Sequence, residues 1–430
     1  MTMLAVPAWA KRSLLVRQNA LLFIGGLASG SGSFIYHAIA GRLLGPVAYG
    51  QVAFLIAAYA VGATAALIIS LVLARYAATL ISRQDQTIRR VLIRAAFVVA
   101  APGAGFVLIA ALFAHPIAIF EHLPSSTPVW LVAIAVALGW LLAVPRGILQ
   151  GLQRFGSLAI NVALDPVVRV AALWVLVGLG YAVSGAVAAV VIGLAAALVA
   201  GTYSLRDRFR GTESNHVPVL GGAGFPLTAA AGVVGIQLLF NQDVVLAEHY
   251  LSAHNGGIYG GLNKIGTIIF YLTLSVSQVL FPRIVDAVAR QRYPARLLLS
   301  SVGILSALGV AALIVFAVAP GELVNILFGP RFSDATPYVF TVGVIGLALS
   351  LNNMLVQFLI ANHDYWFIPL IAFGCVAEAG LIVISHATVG QVVADVLVAM
   401  VGLLVLLIAR CYVLLVSLRH LPLRGNASVR

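Results

Sequence analysis

The chain has 430 residues, of which 62% are hydrophobic and only 9% charged, and its formal net charge is +12. Soluble domains carry roughly a quarter charged residues, so this composition excludes a soluble globular protein and points to an integral membrane protein. The positive balance does not imply nucleic acid, because no soluble face with basic residues interleaved among aromatics is visible.

Near the N-terminus, Ala8-Trp9-Ala10 mimics a cleavage site, but Lys11, Arg12 and Arg17 follow it and read as a cytoplasmic flank rather than a signal peptide. A membrane span needs roughly 20 apolar residues. Twelve runs meet that requirement, at about 19–41, 49–73, 91–114, 128–149, 158–180, 183–205, 220–243, 256–281, 297–319, 336–360, 366–386 and 389–416. The segment Gly41-Arg42-Leu43-Leu44-Gly45-Pro46-Val47-Ala48-Tyr49-Gly50 is the polar break between the first two. Gly45-Pro46 is a turn dipeptide, and Arg42 suits the C-terminal end of a helix, so a tight helix–turn–helix is expected there.

Arginine placement orients the spans. Lys11, Arg12 and Arg17 precede span one; Arg75, Arg83, Arg89, Arg90 and Arg94 lie between spans two and three; Arg146 and Arg154 flank the turn after span four. Arg206, Arg208 and Arg210 follow span six, Arg283, Arg290, Arg292 and Arg296 follow span eight, and Arg410, Arg419, Arg424 and Arg430 end the chain. Those 21 of the 25 basic residues lie on one side, against Arg42 and Arg331 on the other. Both termini are therefore expected in the cytoplasm. The pair Ala48-Tyr49-Gly50 and Ile258-Tyr259-Gly260 suggests an internal repeat of six spans. An even number of spans per half makes the repeat parallel. The expected lobes are 1–210 and 211–430, with Arg206 to Pro218 as the linker.

Gly-Arg-Leu-Leu-Gly-Pro-x-x-Tyr-Gly at residues 41–50 resembles a segment of the polysaccharide-transport branch of the multidrug/oligosaccharidyl-lipid/polysaccharide exporter superfamily. Pro145 to Phe155, Asn241-Gln242-Asp243, Gly257-Ile258-Tyr259, Val279 to Arg283 and Ala361-Asn362-His363 extend the likeness along most of the chain. The resemblance implies an all-α, MATE-like membrane protein of two six-helix lobes. It also implies flipping of a polyprenyl-diphosphate-linked oligosaccharide or related precursor across the cell membrane by alternating access. The alternatives are a cation-coupled drug or small-molecule antiporter of the same superfamily and a non-transporting membrane assembly subunit. Implied partners are the lipid-linked glycan, membrane lipids, a coupling proton or sodium ion, and neighbouring glycan polymerase or glycosyltransferase proteins.

Ionisable residues inside spans cost roughly 2.5–3.5 kcal/mol each, so each needs a reason. They are Asp165, Arg169, Asp243, Lys264, Glu378 and Asp395, with His37 a softer case. Asp165 and Arg169 stand i, i+4 and are expected to pair, with Pro166 hinting at a kink. Arg146, Gln150 and Arg154 share a face if their helix continues, either as a charge anchor or as a dock for an anionic head group. Gly25, Ser29 and Ser33 let span one approach a neighbour closely. By the resemblance, Lys264, Asp243, His37, Arg42 and Gln237 line a substrate cavity, with Asp165, Arg169 and Arg146 secondary. Lys264 is read there either as a diphosphate ligand or as a salt bridge to Asp243. Cys375 and Cys411 lie in apolar runs without metal-ligand or disulfide spacing, and the nine histidines are scattered. No catalytic constellation, metal cluster or phosphate loop is present in the sequence, so no enzyme activity and no cofactor are expected.

Overall fold

A computed structural model describes residues 8–82, 88–207, 224–289 and 295–420. Most of the expected linker, from 208 to 218, lies outside the described residues, as do Arg83, Arg290, Arg292, Arg424 and Arg430. Among the described residues the structure is helical and has no strand. The elements are α1 (Ala8–Gly62), α2 (Thr64–Ser82), α3 (Ile88–Phe120), α4 (Thr127–Gly151), α5 (Phe155–Gly178), α6 (Ala182–Tyr203) and α7 (Gly224–Tyr250). They continue as α8 (Ala253–Ala289), α9 (Ala295–Val318), α10 (Pro320–Phe328), a 3-10 helix (Pro330–Tyr338), α11 (Val339–Ala361), α12 (Phe367–Ile384) and α13 (Val389–His420).

Nine described helical stretches are long and apolar enough to cross a membrane. One of them, Gly25–Leu80, covers the first two expected spans. With α7 and α8 at the expected seventh and eighth positions, every expected span has a helix. The chain is an all-α, multi-pass membrane protein. Large apolar side chains such as Leu112, Val318 and Ile384 are exposed, as lipid-facing residues must be.

The first corner is the tight turn expected at Gly45-Pro46. Helical geometry fails only at Gly45, with φ 74° and ψ 175°, and Pro46 resumes the helix without needing a backbone donor. A second break, unforeseen in the sequence, falls at Ala63. The carbonyl of Gly62 is freed there and accepts the indole N–H of Trp140 at 2.9 Å.

The chain forms two compact units. One is built from the chain up to Leu44 and from Leu55 through α6; the other from Gly45–Phe54 and from α7 onward. In the first unit, α4 packs on α2, α3 and α6, and α6 packs on α5. Its α1 lies against α5, with Gly25 touching Ala159 and Gly32 touching Pro166, and α5 continues through Pro166. In the second unit, α11 packs on α8, α9 and α13, α13 packs on α12, and α7 lies against α12 through Gly232 and Gly235. The same packing order therefore occurs in both units. The α4–α2 crossing is closed by Gly147 and Gly151, whose missing side chains admit the Ser70 and Ala74 carbonyls. At the matching α8–α11 crossing, Gly266 and Gly346 face each other.

The stretch of about 320–336 that connects the ninth and tenth expected spans is not an open loop but folds as α10 and the 3-10 helix. Phe328 and Phe332 are buried there and enclose Tyr49, with ring centroids at 5.4 and 5.7 Å. Gly45–Phe54 is thereby held in the second unit.

Candidate functional site

Polar side chains collect in two clusters, one inside each unit. In the second unit, Tyr259 and Asn263 are one helical turn apart on α8 and share a face. Both reach the same oxygen of Asp243 on α7: the Tyr259 hydroxyl donates to Oδ2 at 2.7 Å and the Asn263 amide at 2.9 Å. Asp243 is buried, and its Oδ1 and the Oδ1 of Asn263 have no partner. These residues line a cavity of ≈ 30 Å³ with Phe240, Thr267, Gly346 and Met400, polar enough on one side and large enough for a water molecule or a small cation.

Lys264 follows directly on α8. It is buried, and its ammonium lies 5.9 Å from the centre of the Phe240 ring. Among the described residues it makes no direct salt bridge: the Asp243 carboxylate is near enough to attract it but takes its hydrogen bonds from Tyr259 and Asn263. The neighbouring α7 residue, Gln242, points elsewhere. It donates to Glu378 Oε2 at 2.5 Å and to the Cys375 carbonyl at 3.1 Å, both on α12. Glu378 is fully buried, and its Oε1 has no partner. Asp395 accepts a bond from Ser385 Oγ at 2.6 Å. Gln237 is half-buried on α7, and its carbonyl accepts a bond from the Asn241 amide at 2.8 Å.

In the first unit the expected i, i+4 pair forms, with Arg169 Nη2 donating to Asp165 Oδ1 at 2.8 Å and both residues buried. The Arg169 guanidinium lies 5.8 Å from the Tyr36 ring centre, and the Tyr36 hydroxyl donates to the Ala186 carbonyl at 2.8 Å. Arg146 donates through Nε to Asn161 Oδ1 at 2.8 Å, and Asn161 donates to the Ala197 carbonyl at 2.6 Å. Residues of α1, α4, α5 and α6 are thus tied together. Arg154 does not share the Arg146 face, because α4 ends at Gly151. Arg154 precedes α5 instead and binds Asp207 and the Ser204 carbonyl. His37 is buried edge-on to Tyr36, with centroids 5.4 Å apart. Arg42 is exposed, three residues before the Gly45 corner.

A family profile described as "Polysaccharide biosynthesis protein" matches residues 15–288, well over half the chain. The chain belongs to the polysaccharide biosynthesis protein family. The match starts before α1 leaves its first span and ends inside α8, so it covers the whole first cluster and the Asp243–Lys264 part of the second. No curated protein sequence matches the chain. Among solved structures, it is similar to an inward-facing multidrug resistance MATE transporter of the MOP superfamily. The TM-score is 0.75 at 12% identity, covering 90% of this chain and 96% of that one. A MATE structure in complex with MaL6 gives 0.66 at 12% identity, covering 94% and 97%. A MOP superfamily transporter from Pyrococcus furiosus, whose binding pocket is described as reversed in polarity, gives 0.63 at 12% identity over the same shares. At these identities the likeness establishes the fold, which is that of the MATE transporters.

Of the residues singled out in the sequence, Asp243, Lys264 and Gln237 fall together on α7 and α8, and Asp165, Arg169 and Arg146 fall together in the first unit. His37 and Arg42 also belong to the first unit. Sequence reasoning missed Asn263, and used Tyr259 only as a repeat marker. Their spacing of four on an apolar helix was the available signal.

Proposed function

We propose that the protein flips a polyprenyl-diphosphate-linked oligosaccharide, or a related polysaccharide precursor, from the cytoplasmic to the outer leaflet by alternating access. In this reading, lobes 1–210 and 211–430 do the rocking. The protein sits in the inner membrane with both termini cytoplasmic and works beside glycan polymerase or glycosyltransferase proteins. Family membership and a transporter fold support the reading, and the observation that carries it is the buried charge. A sugar-diphosphate head cannot cross hydrocarbon unaided, and a span that holds a lysine without an ion pair bears a cost that a phosphate ligand relieves. Lys264 is proposed as the diphosphate contact, with Asp243, Gln237, His37 and Arg42 as further path residues and Asp165, Arg169 and Arg146 as secondary ones. The unpartnered oxygens of Asp243 and Asn263 suit a coupling proton or sodium ion. Each charge moved across the membrane is worth about 2.3 kcal/mol per 100 mV.

Asp243 and Glu378, two buried carboxylates in one unit, favour a second reading, a cation-coupled antiporter of small molecules. Deletion of the gene separates the two. Lipid-linked glycan accumulating in the cytoplasmic leaflet with loss of surface glycan is the expected result. Unchanged surface glycan with raised drug sensitivity would replace the first reading by the second.

A further inference from the structure

In the second unit, α11 ends, α12 begins and α13 passes by around an open cleft of ≈ 540 Å³. The cleft is amphipathic: Asn362, Asp364 and Arg410 make its polar part, and Trp366, Pro369 and Leu414 its apolar part. Its geometry starts from the chain turn. His363 takes a left-handed conformation, φ 56°, and the next N–H, that of Asp364, donates to the Leu359 carbonyl at 3.0 Å. The turn buries the Asp364 carboxylate, which accepts the Trp366 N–H at 3.0 Å. It also accepts from Arg410, at 3.0 Å from Nε and 2.6 Å from Nη2. The Trp366 ring centre lies 5.5 Å from the guanidinium carbon. One edge and one face of the guanidinium are therefore fixed. Nη1 has no partner among the described residues, and the Arg410 side chain stays 28% exposed.

The turn at the corresponding place in the first unit is closed. There Arg154 engages both terminal nitrogens on Asp207 and the Ser204 carbonyl, so neither is left without a partner as Nη1 of Arg410 is. Arg410 also lies at a definite depth. It is about 30 Å along α13 from Val389, close to the thickness of the hydrocarbon core, which puts it at head-group level. Tyr365 and Trp366 are exposed beside it, as aromatic residues are at a membrane interface.

We infer that this cleft binds a phospholipid of the surrounding leaflet, with its phosphate on the Nη1 edge of Arg410 and its acyl chain along Pro369 and Leu414. A planar, pre-oriented guanidinium suits a phosphate oxygen, and the apolar wall beside it suits a chain rather than a soluble anion. Asp364 is the positioning residue and does not touch the lipid. The inference does not rest on the proposed flipping activity.

Native mass spectrometry of the full-length protein, extracted from membranes and titrated with phosphatidylglycerol, tests it. Arg410→Gln alone leaves Asp364 buried without its cation, so the paired variant Asp364→Asn with Arg410→Gln is used, alongside Trp366→Ala. Wild type and Arg154→Gln are expected to retain one lipid that the paired variant holds at least tenfold more weakly, and Trp366→Ala is expected to weaken it in the same direction. Equal retention by wild type and the paired variant overturns the site. Should the paired variant unfold, equal retention by wild type and Trp366→Ala overturns it. Glycerol 3-phosphate is the soluble arm: if it raises the unfolding temperature of wild type as much as the lipid does, the occupant is a soluble phosphate and the lipid assignment fails.

Discussion

The two units use one packing order and opposite interior charge. The first cluster holds two guanidiniums, Arg146 and Arg169, and one carboxylate, Asp165; the interior of the second unit holds the carboxylates of Asp243 and Glu378 and one ammonium, Lys264. The hydrogen bonding differs as well. The first cluster is tied through Asn161, Tyr36 and backbone carbonyls, and its one unpartnered buried atom is a donor, Arg169 Nε. The second leaves oxygens of Asp243, Asn263, Asn352 and Glu378 without partners. Buried acceptors that the protein does not satisfy are places for protons, water or cations, whereas a closed network mainly fixes helices in place. One scaffold thus carries a cluster tied across four helices in one unit and a cluster with several unpartnered acceptors in the other.

The largest expected effect separates these roles. Lys264→Ala is expected to abolish surface glycan at normal protein level. Losing one buried charge contact is worth about 2–5 kcal/mol, far more than the 1.4 kcal/mol of a tenfold loss. Asp243→Asn keeps the shape and one acceptor, and is expected to weaken transport without abolishing it. Full complementation by Lys264→Ala at matched abundance would leave the cluster of the second unit without its proposed ligand.

The cluster of the first unit is expected to answer differently. Asp165→Ala or Arg169→Ala leaves a buried charge unpaired, at a cost of about 3–5 kcal/mol, so protein abundance should collapse. The double variant Asp165→Asn with Arg169→Gln keeps a hydrogen bond and no charge, and should restore abundance on immunoblots of membranes. Normal abundance in both single variants with failed transport would move this cluster into the substrate path and erase the contrast between the units.

What the sequence made legible follows from which constraints are local. A span must be about 20 apolar residues long whatever it packs against, so all twelve were readable, and i, i+4 spacing made the Asp165–Arg169 pair readable. The partners of Asp243 were not, because they depend on which faces of α7 and α8 meet. Lys264 was one candidate counter-charge, yet the turn-spaced Tyr259 and Asn263 make the hydrogen bonds to the carboxylate. The attachment of Gly45–Phe54 was also hidden. It depends on an aromatic socket formed by residues 328 and 332, nearly 300 positions away in a stretch that reads as a loop.

That socket gives the next test, at the segment that comes early in the chain and packs in the second unit. Tyr49 is fully buried between Phe328 and Phe332, so Tyr49→Ala is expected to cost about 3–5 kcal/mol in thermal unfolding. Gly257→Ala should act in the same direction, because a methyl group there would overlap the Pro46 carbonyl. A Tyr49→Ala protein as stable as wild type would mean that the segment is not anchored by its socket.

The smallest expected effect lies outside the spans of the first unit. Glu121 follows α3 and is buried beneath the turn to α4, with one carboxylate oxygen unpartnered. Burial penalises the ionised form and pushes its pKa up to about 7. An unfolded glutamate titrates near 4.3, so the folded turn binds this proton more tightly than the open chain does. Its contribution to stability is complete below about pH 4 and is lost as pH rises through about 7, a difference of order 1–3 kcal/mol. Wild type is therefore expected to lose unfolding temperature between pH 5 and pH 8, and Glu121→Gln, which cannot ionise, to lose less. Since every other titrating group is common to both proteins, the difference between the two slopes isolates this carboxylate. Parallel slopes would mean that water reaches the Glu121 carboxylate in the folded turn.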